Sequence, residues 1–306
     1  MNTSNSAIEI KDLVRGYQKT DAVRGLNLSV QPGRCYGFFG RNGAGKTTTI
    51  KCLLNLLRPQ RGSVLLFGMD PRKDNTAIKD RIAYVPDQIP VYPWMSIQQY
   101  FEFLASFRKR WNTQLESQLL EQFSLEPARK VDQLSKGQRV QVALIGALCP
   151  EPELLILDEP TSGLDPVIRR EFIRTIIGSY QDTDPGNRTV FVSTHLISEF
   201  EGLIDEFTII DQGRELLTSE TEAARRRYNR LRVRFSSSPP SITEPSILKT
   251  TVEGRELELT IDSNTEQIRS EIAKYEPVEI REDSLSLEDI FLITASKQGG
   301  SHVSTN

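Results

Sequence analysis

The segment Gly40-Arg41-Asn42-Gly43-Ala44-Gly45-Lys46-Thr47 constrains this chain more than any other. It follows an apolar, strand-like run at 35–39 and opens a helical pattern at 46–57. Glycines at this spacing let a backbone wrap closely round phosphate oxygens, and successive N–H groups form an anion nest at the positive end of the helix. The lysine that starts the helix bridges β- and γ-phosphates, and the hydroxyl after it ligates Mg²⁺. The nucleotide-binding positions expected here are Gly40, Arg41, Asn42, Gly43, Ala44, Gly45, Lys46 and Thr47, with Thr48 adding a hydrogen bond to the α-phosphate. An ordinary glycine turn before a helix needs only one of these residues; here four fixed positions coincide with the strand and the helix. The loop implies nucleotide binding, and it leaves the family open.

With 306 residues the chain has room for one large domain and a small one. Strands are expected at 7–10, 35–39, 63–67, 82–85, 154–157, 189–192 and 207–210, and helices at 46–57, 96–108, 113–123, 136–148, 166–180 and 197–202. Buried β runs alternating with helices predict an α/β layer architecture around a largely parallel sheet. Ser96 with Gln99, Thr113 with Glu116 and Ser135 with Gln138 have capping-box spacing, and Asp165-Pro166 is a cap followed by a first-turn proline. Residues 90–148 form an expected helical insertion in a first domain spanning 1–218. A smaller α+β domain is expected at 219–296, with strands near 231–235, 247–252, 256–261 and 278–281 and helices at 221–228, 265–275 and from 286. The polar, Gly/Ser-rich end at 297–306 is expected to be disordered.

Asp158-Glu159 ends the apolar run 154–157, and α/β sheets place their ligands at that end of a strand. Asp158 there would hold Mg²⁺ through water, and Glu159 would polarise an attacking water as general base. Without a phosphate loop the same dipeptide would read equally well as a solvated strand end.

Between these two motifs lies Leu134-Ser135-Lys136-Gly137-Gln138, which resembles the signature of ATP-binding-cassette (ABC) proteins in sequence and in its place along the chain. The resemblance covers about 8–217 and implies the family's fold, a P-loop ATPase with an inserted helical subdomain. It further implies that Ser135, Lys136, Gly137 and Gln138 form a second anion site at a helix start, closing on the γ-phosphate bound to the opposite subunit. Lys136 replaces the commoner Gly; Ser135 and Gly137 remain, so no loss of function is expected. By the same resemblance Tyr17 stacks on adenine, Ser162-Gly163-Leu164-Asp165 is a dimer-contact loop, and His195 hydrogen-bonds the γ-phosphate. Asp165 would also serve as an ordinary helix cap. After Tyr84-Val85-Pro86 the family most often carries a Gln that touches Mg²⁺. This chain has Asp87 there and Gln88 next, so either residue is a candidate, with Asp87 preferred by its place after the proline. The aromatic and proline-rich stretch 89–95 fits packing of the helical insertion and, equally, a groove for a short helix of a transmembrane subunit. Residues 286–292 resemble a closing helix of exporter cassettes.

A net charge of −3 argues against general nucleic-acid binding, and Arg225-Arg226-Arg227 reads as a solvated helix face. Cys35, Cys52 and Cys149 are scattered without metal-ligand spacing and read as buried thiols of a reducing cytosol. No leader-like segment precedes the first strand and no apolar run is long enough to cross a bilayer, so any membrane role is expected through a partner. The resemblance therefore implies an ATPase subunit of a membrane exporter, most like the ABC-2 type. Its expected partners are ATP, Mg²⁺, a second ATPase subunit (a homodimer) and an integral membrane permease at the inner face of the membrane. The alternative is a soluble cassette protein of DNA repair, chromosome organisation or translation. The chain lacks the long heptad run of chromosome-organising relatives and has one cassette where translation factors have two.

Overall fold

The computed structural model describes residues 6–18, 20–90, 92–180 and 188–299. The chain begins with two strands, β1 (Ile8–Tyr17) and β2 (Thr20–Val30), followed by β3 (Cys35–Gly40), α1 (Lys46–Leu53) and β4 (Arg61–Leu66). β1 pairs antiparallel with both β2 and β4 in a three-stranded sheet, order β2-β1-β4. Alternation buries Ile8, Ile10, Leu26, Leu28 and Val30 on one face and leaves polar residues on the other. The long strand β2 is missing from the sequence expectation. Between Arg24 and Leu26 the pairing slips by one residue at Gly25 (φ 78°), a bulge that puts Val23 and Leu26 on the same face despite their odd spacing.

Next come α2 (Asn75–Arg81), β5 (Ile82–Val85), α3 (Ile97–Ala105), α4 (Thr113–Gln122) and α5 (Lys136–Leu148). These lead to β6 (Leu154–Asp158), α6 (Pro166–Tyr180), β7 (Thr189–Thr194), α7 (Ile197–Phe200), β8 (Glu206–Asp211) and β9 (Arg214–Glu220). The central sheet has the order β5-β6-β7-β3-β8-β9, and the pairings from β5 through β8 are all parallel. The inner strands β6, β7 and β3 are almost wholly buried, as expected for a sheet covered on both faces, whereas the edge strand β9 is largely polar and exposed. Phe38, Ile156 and Phe191 share one core with Ile10, Leu13, Ile50 and Leu53, so α1 and the antiparallel sheet lie on the same face. Tyr36 stacks on Phe191 with centroids 5.9 Å apart and exchanges a 2.7 Å hydrogen bond with the Thr208 hydroxyl.

The capping boxes at Ser96/Gln99 and Ser135/Gln138 are formed in both directions. The third expected box is not. Asn112 caps α4, its Oδ1 accepting from Leu115 N at 2.9 Å, and Thr113 is the first helical residue; the Glu116 carboxylate instead accepts from Trp111 Nε1 at 2.5 Å. α1 stops at Leu53 rather than 57, where Asn55 turns left-handed at φ 57°.

By internal contacts the chain forms two compact units. One runs to Leu196 and includes Gly202–Glu215; the other holds Ile197–Glu201 and the chain from Leu216. The second unit comprises α7, α8 (Thr221–Arg227), β10 (Tyr228–Arg234), β11 (Ile247–Glu253), β12 (Glu256–Asp262), α9 (Thr265–Ala273), β13 (Glu279–Ser284) and α10 (Leu287–Gly299). Its four strands are antiparallel in the order β11-β12-β10-β13, with Leu231, Val233, Leu259 and Ile261 packed with Ile268 and Ile272 of α9. Glu201 Oε1 accepts from Leu287 N (3.0 Å) and Arg225 (3.2 Å), and Arg227 pairs with Asp262, so two of the three clustered arginines are tied down. α10 continues through Gly299, and 300–306, the rest of the end expected to be disordered, lie outside the described residues. Among the described residues no helix is long and apolar enough to cross a membrane.

Candidate active site

Parallel register carries the site residues to one edge. β5, β6, β7 and β3 are neighbours, with Val85 opposite Leu157, Asp158 opposite Ser193 and Phe39 opposite Thr194. The residues that follow each strand therefore emerge side by side at the C-terminal edge of the sheet, where such folds bind ligands. They are Asp87 after β5, Asp158-Glu159 at the end of β6, His195 after β7 and the glycine loop after β3.

The loop between β3 and α1 is braced on two sides. Gly213 N, from a turn with Gln212 and Gly213 both at positive φ, donates to Ala44 O at 3.0 Å, and Gly213 O accepts from Arg24 of β2 at 2.8 Å. Gly45 precedes α1 with φ 107°, and a Cβ there would lie 2.4 Å from Ala22 O, so only glycine suits the position. No side chain caps α1 and no acidic residue occupies its first turn, which leaves the helix end an anion-binding terminus. Lys46 is buried at 5% exposure, and Nζ donates to Gly40 O at 2.7 Å and Arg41 O at 3.2 Å.

Lys46 also meets Glu159, Nζ to Oε1 at 2.9 Å, as an ion pair whose angle makes no hydrogen bond. The other oxygen, Oε2, lies 2.8 Å from His195 Nδ1 and accepts from Thr194 Oγ1 at 3.3 Å. Glu159 itself stands at φ 49°, a left-handed conformation that a glutamate keeps only when its surroundings enforce it. Its N–H donates to Ser193 O at 2.8 Å, and its carbonyl accepts from Ser162 N at 3.1 Å. Asp158 is 1% exposed; the Ser193 hydroxyl donates to Oδ1 at 3.1 Å, and Oδ2 is buried without a hydrogen-bond partner. Burial pushes the Asp158 carboxyl above the usual range, Thr47 and Ser193 hydroxyls oppose that shift, the Glu159 charge adds to it and Lys46 opposes it. The Tyr84 phenol is likewise raised, first by burial and then by the negative charge of Asp158.

Other expected residues are placed as follows. Tyr17 ends β1, is 45% exposed and has the Arg15 guanidinium 5.5 Å from its ring centroid. Arg41, Asn42 and Gly43 are exposed on the loop, Thr47 is exposed in the first turn of α1, Ala44 is buried and Thr48 is half-buried; Asp87 and Gln88 are both exposed. Ser135 spends its hydroxyl on Gln138 N (3.2 Å), and the Gln138 side chain accepts from Ser135 N (3.0 Å). Gly137 is buried against α6, where a Cβ would lie 2.4 Å from Ile168 Cδ1. Asp165 Oδ1 accepts from Val167 N and Ile168 N, so its cap role is realised. Through Lys136 and Gly137 the start of α5 touches residues 162–168 of its own chain, the turn that follows Glu159 and the first turn of α6.

Ser193 and Thr194 are site residues that the sequence motifs do not single out. Two hydroxyls ending an apolar strand directly before His195 are the available signal. Together the edge offers a backbone cradle for a polyphosphate, a buried ammonium, and two carboxylates able to attract a cation and a water.

The profile of the ABC transporter family matches residues 23–162. Over 214 residues the chain is 36% identical to the bacitracin transport ATP-binding protein BcrA of Bacillus licheniformis, covering 69% of each protein. It is 32% identical over 224 residues to the Nod factor export ATP-binding protein I of Ralstonia nicotianae, covering 70% of this chain and 67% of that one. Among solved structures, an ATP-binding subunit of an ABC transporter matches with a TM-score of 0.65 at 26% identity, over 72% of this chain and 92% of that one. The braced phosphate loop and its carboxylate edge thus have their counterpart in sequence kinship: the chain belongs to the ATP-binding-cassette family, as the ATP-binding and ATP-hydrolysing subunit of an ABC transporter.

Proposed function

We propose that this subunit powers an exporter of the ABC-2 type, bound at the inner face of the membrane to an integral membrane permease. Two copies enclose two ATP molecules, each held by one chain's phosphate loop and by the start of α5 of the other. The observation that carries this reading is the Lys46–Glu159–His195 cluster, which puts a phosphate-binding ammonium and a general-base carboxylate within one ion pair of each other. Lys46 holds the β- and γ-phosphates, Glu159 takes a proton from the attacking water, and His195 orients Glu159 and meets the γ-phosphate. Tyr17 stacks on adenine, and Gly40 to Thr48 wrap the phosphates. Ser135, Lys136, Gly137 and Gln138 supply the trans contact, and Asp165 belongs to the dimer-contact loop. The name of the relative that exports Nod factor supports the export direction.

The residues fit Mg²⁺. Asp158 Oδ2 is a buried oxygen without a partner, and the Thr47 hydroxyl is near enough to stabilise the Asp158 charge. Hard oxygen donors of this kind suit Mg²⁺, which normally takes one or two protein ligands and completes its shell with phosphate and water. Thr47, Asp158 and one of Asp87 or Gln88 would hold the ion. Bound there, it would neutralise charge on the β- and γ-phosphates.

For the permease, Tyr92, Trp94, Phe103 and Phe107 form a chain of rings with centroids 5.1–5.5 Å apart, and Trp94 and Phe107 are 66% and 69% exposed. Exposed aromatics gathered in one patch are a common anchor for a partner helix. In the domain reading, 1–218 is the ATPase, with the helical insertion at about 90–148 carrying this patch, and 219–296 is a separate module. The test is whether a multi-spanning membrane protein co-purifies with this chain from its native membranes. Retention by wild type and loss on Trp94→Asp supports the reading; no association in detergent or nanodiscs with any such protein refutes it.

A further inference from the structure

Lys136 is the first helical residue of α5, where a cation opposes the partial positive charge of the helix end. Its ammonium is directed away from the helix and onto a carbonyl: Nζ donates to Ser162 O at 2.6 Å. The approach depends on Gly163, at φ 69°, where a Cβ would stand 2.6 Å from that nitrogen. Ser162 is part of the turn that seats Glu159, since Ser162 N donates to Glu159 O at 3.1 Å and Leu164 N closes on Thr161 O at 3.1 Å. A continuous path therefore runs from Lys136 through the Ser162 peptide to the backbone of Glu159, which is held left-handed at φ 49°. The same helix start is anchored sideways, by Gly137 against Ile168 and by Gln141 Nε2 donating to Glu171 Oε2 at 3.0 Å.

We infer that Lys136 is a positioning residue that links the two nucleotide sites of the dimer. It ties the helix start that closes on the partner's γ-phosphate to the turn that sets this chain's own catalytic carboxylate. Closure on one nucleotide then orients Glu159 beside the other. A glycine at this position, as the family commonly has, cannot make the tie, so the departure at Lys136 adds a connection instead of merely being tolerated. The inference rests on the sandwich reading proposed above.

The test compares wild type with Lys136→Met, which keeps the length and helix propensity without the donor, and Lys136→Arg, which keeps the donor. Because the hydrogen bond is exposed, the expected loss is modest. In Lys136→Met, turnover at saturating ATP falls about fivefold to tenfold and the Hill coefficient for ATP drops from above 1 towards 1. Affinity of the single chain for a fluorescent ATP analogue stays unchanged, and Lys136→Arg recovers both turnover and cooperativity. Lys136→Met with wild-type turnover and Hill coefficient would overturn the inference. So would a wild type without cooperativity, or a loss fully explained by weaker nucleotide affinity. ATP-dependent dimerisation of Glu159→Gln is the control: its failure sinks the sandwich reading itself, while a dimer with an unaffected Lys136→Met sinks only the role of Lys136.

Discussion

Gly137→Ala separates packing from chemistry at the start of α5. The new methyl would lie 2.4 Å from Ile168 Cδ1 and 3.3 Å from Cγ2, so it meets one rotatable side-chain end and one tighter contact, and no neighbouring backbone. Overpacking of this kind costs about 1–3 kcal/mol, and replacing glycine by alanine in a helix returns about 1 kcal/mol. The net is about 0–2 kcal/mol of destabilisation, a fall in Tm of roughly 2–4 °C per kcal/mol for a unit of this size. The fold survives. Turnover should not, because the methyl and the displaced Ile168 stand beside first-turn N–H groups assigned to the partner's γ-phosphate. Loss of such donors typically costs about 10²–10³-fold in rate. The assay is phosphate release at saturating MgATP, run beside a thermal melt of the same sample. Turnover within about threefold of wild type would mean that Gly137 serves only its contact with Ile168, and the trans-site assignment would be wrong.

Asp158→Asn should make the nucleotide-free protein more stable at neutral pH and inactive. The native carboxyl is raised above its unfolded value by burial, so its ionisation penalises the fold at pH values above the raised pKa. That penalty disappears below the unfolded pKa; the stability gap between variant and wild type should therefore close as pH falls through the window between the two. A gap that widens in acid would contradict the sign. The three thiols should be nearly inert in the native protein. Burial pushes Cys35 and Cys149 to about 12 and Cys52 to about 11, which leaves a thiolate fraction below about 10⁻² at pH 8. Mass spectrometry after brief alkylation should find little label on the native chain, with partly exposed Cys35 first, and three labels after denaturation; fast triple labelling of the native form would refute the burial argument.

Much of the site is legible in the sequence because the relevant chemistry is local. The phosphate loop is written in glycines, of which Gly43 and Gly45 hold backbone angles no other residue takes cheaply, and the Asp158-Glu159 pair ends an apolar strand that can only be central. What escapes is set by distant pairing. The bulge at Gly25 reverses the alternation that identifies β2, and α2 has only Ile78 buried, too little for a periodic signal. Ser193 matters because register sets it opposite Asp158, and spacing along the chain carries no trace of that. At α4 the capping-box spacing of Thr113 with Glu116 misplaces the helix start by one residue: Asn112 takes the cap, and the Glu116 carboxylate accepts from Trp111 Nε1. Lys136 reads as a tolerated exchange, since a sequence does not show where a long flexible side chain comes to rest.

If Glu159 drives water onto ATP inside a sandwich of two chains, Glu159→Gln stops the chemistry and leaves the sandwich intact. Glutamine keeps the shape beside Lys46 and His195 but cannot accept the proton. Light scattering and phosphate release should be measured together with MgATP. The expected result is a stable ATP-dependent dimer whose turnover is lower by about 10²–10⁴-fold, the usual worth of a general base. A variant that hydrolyses ATP at close to the wild-type rate would contradict it.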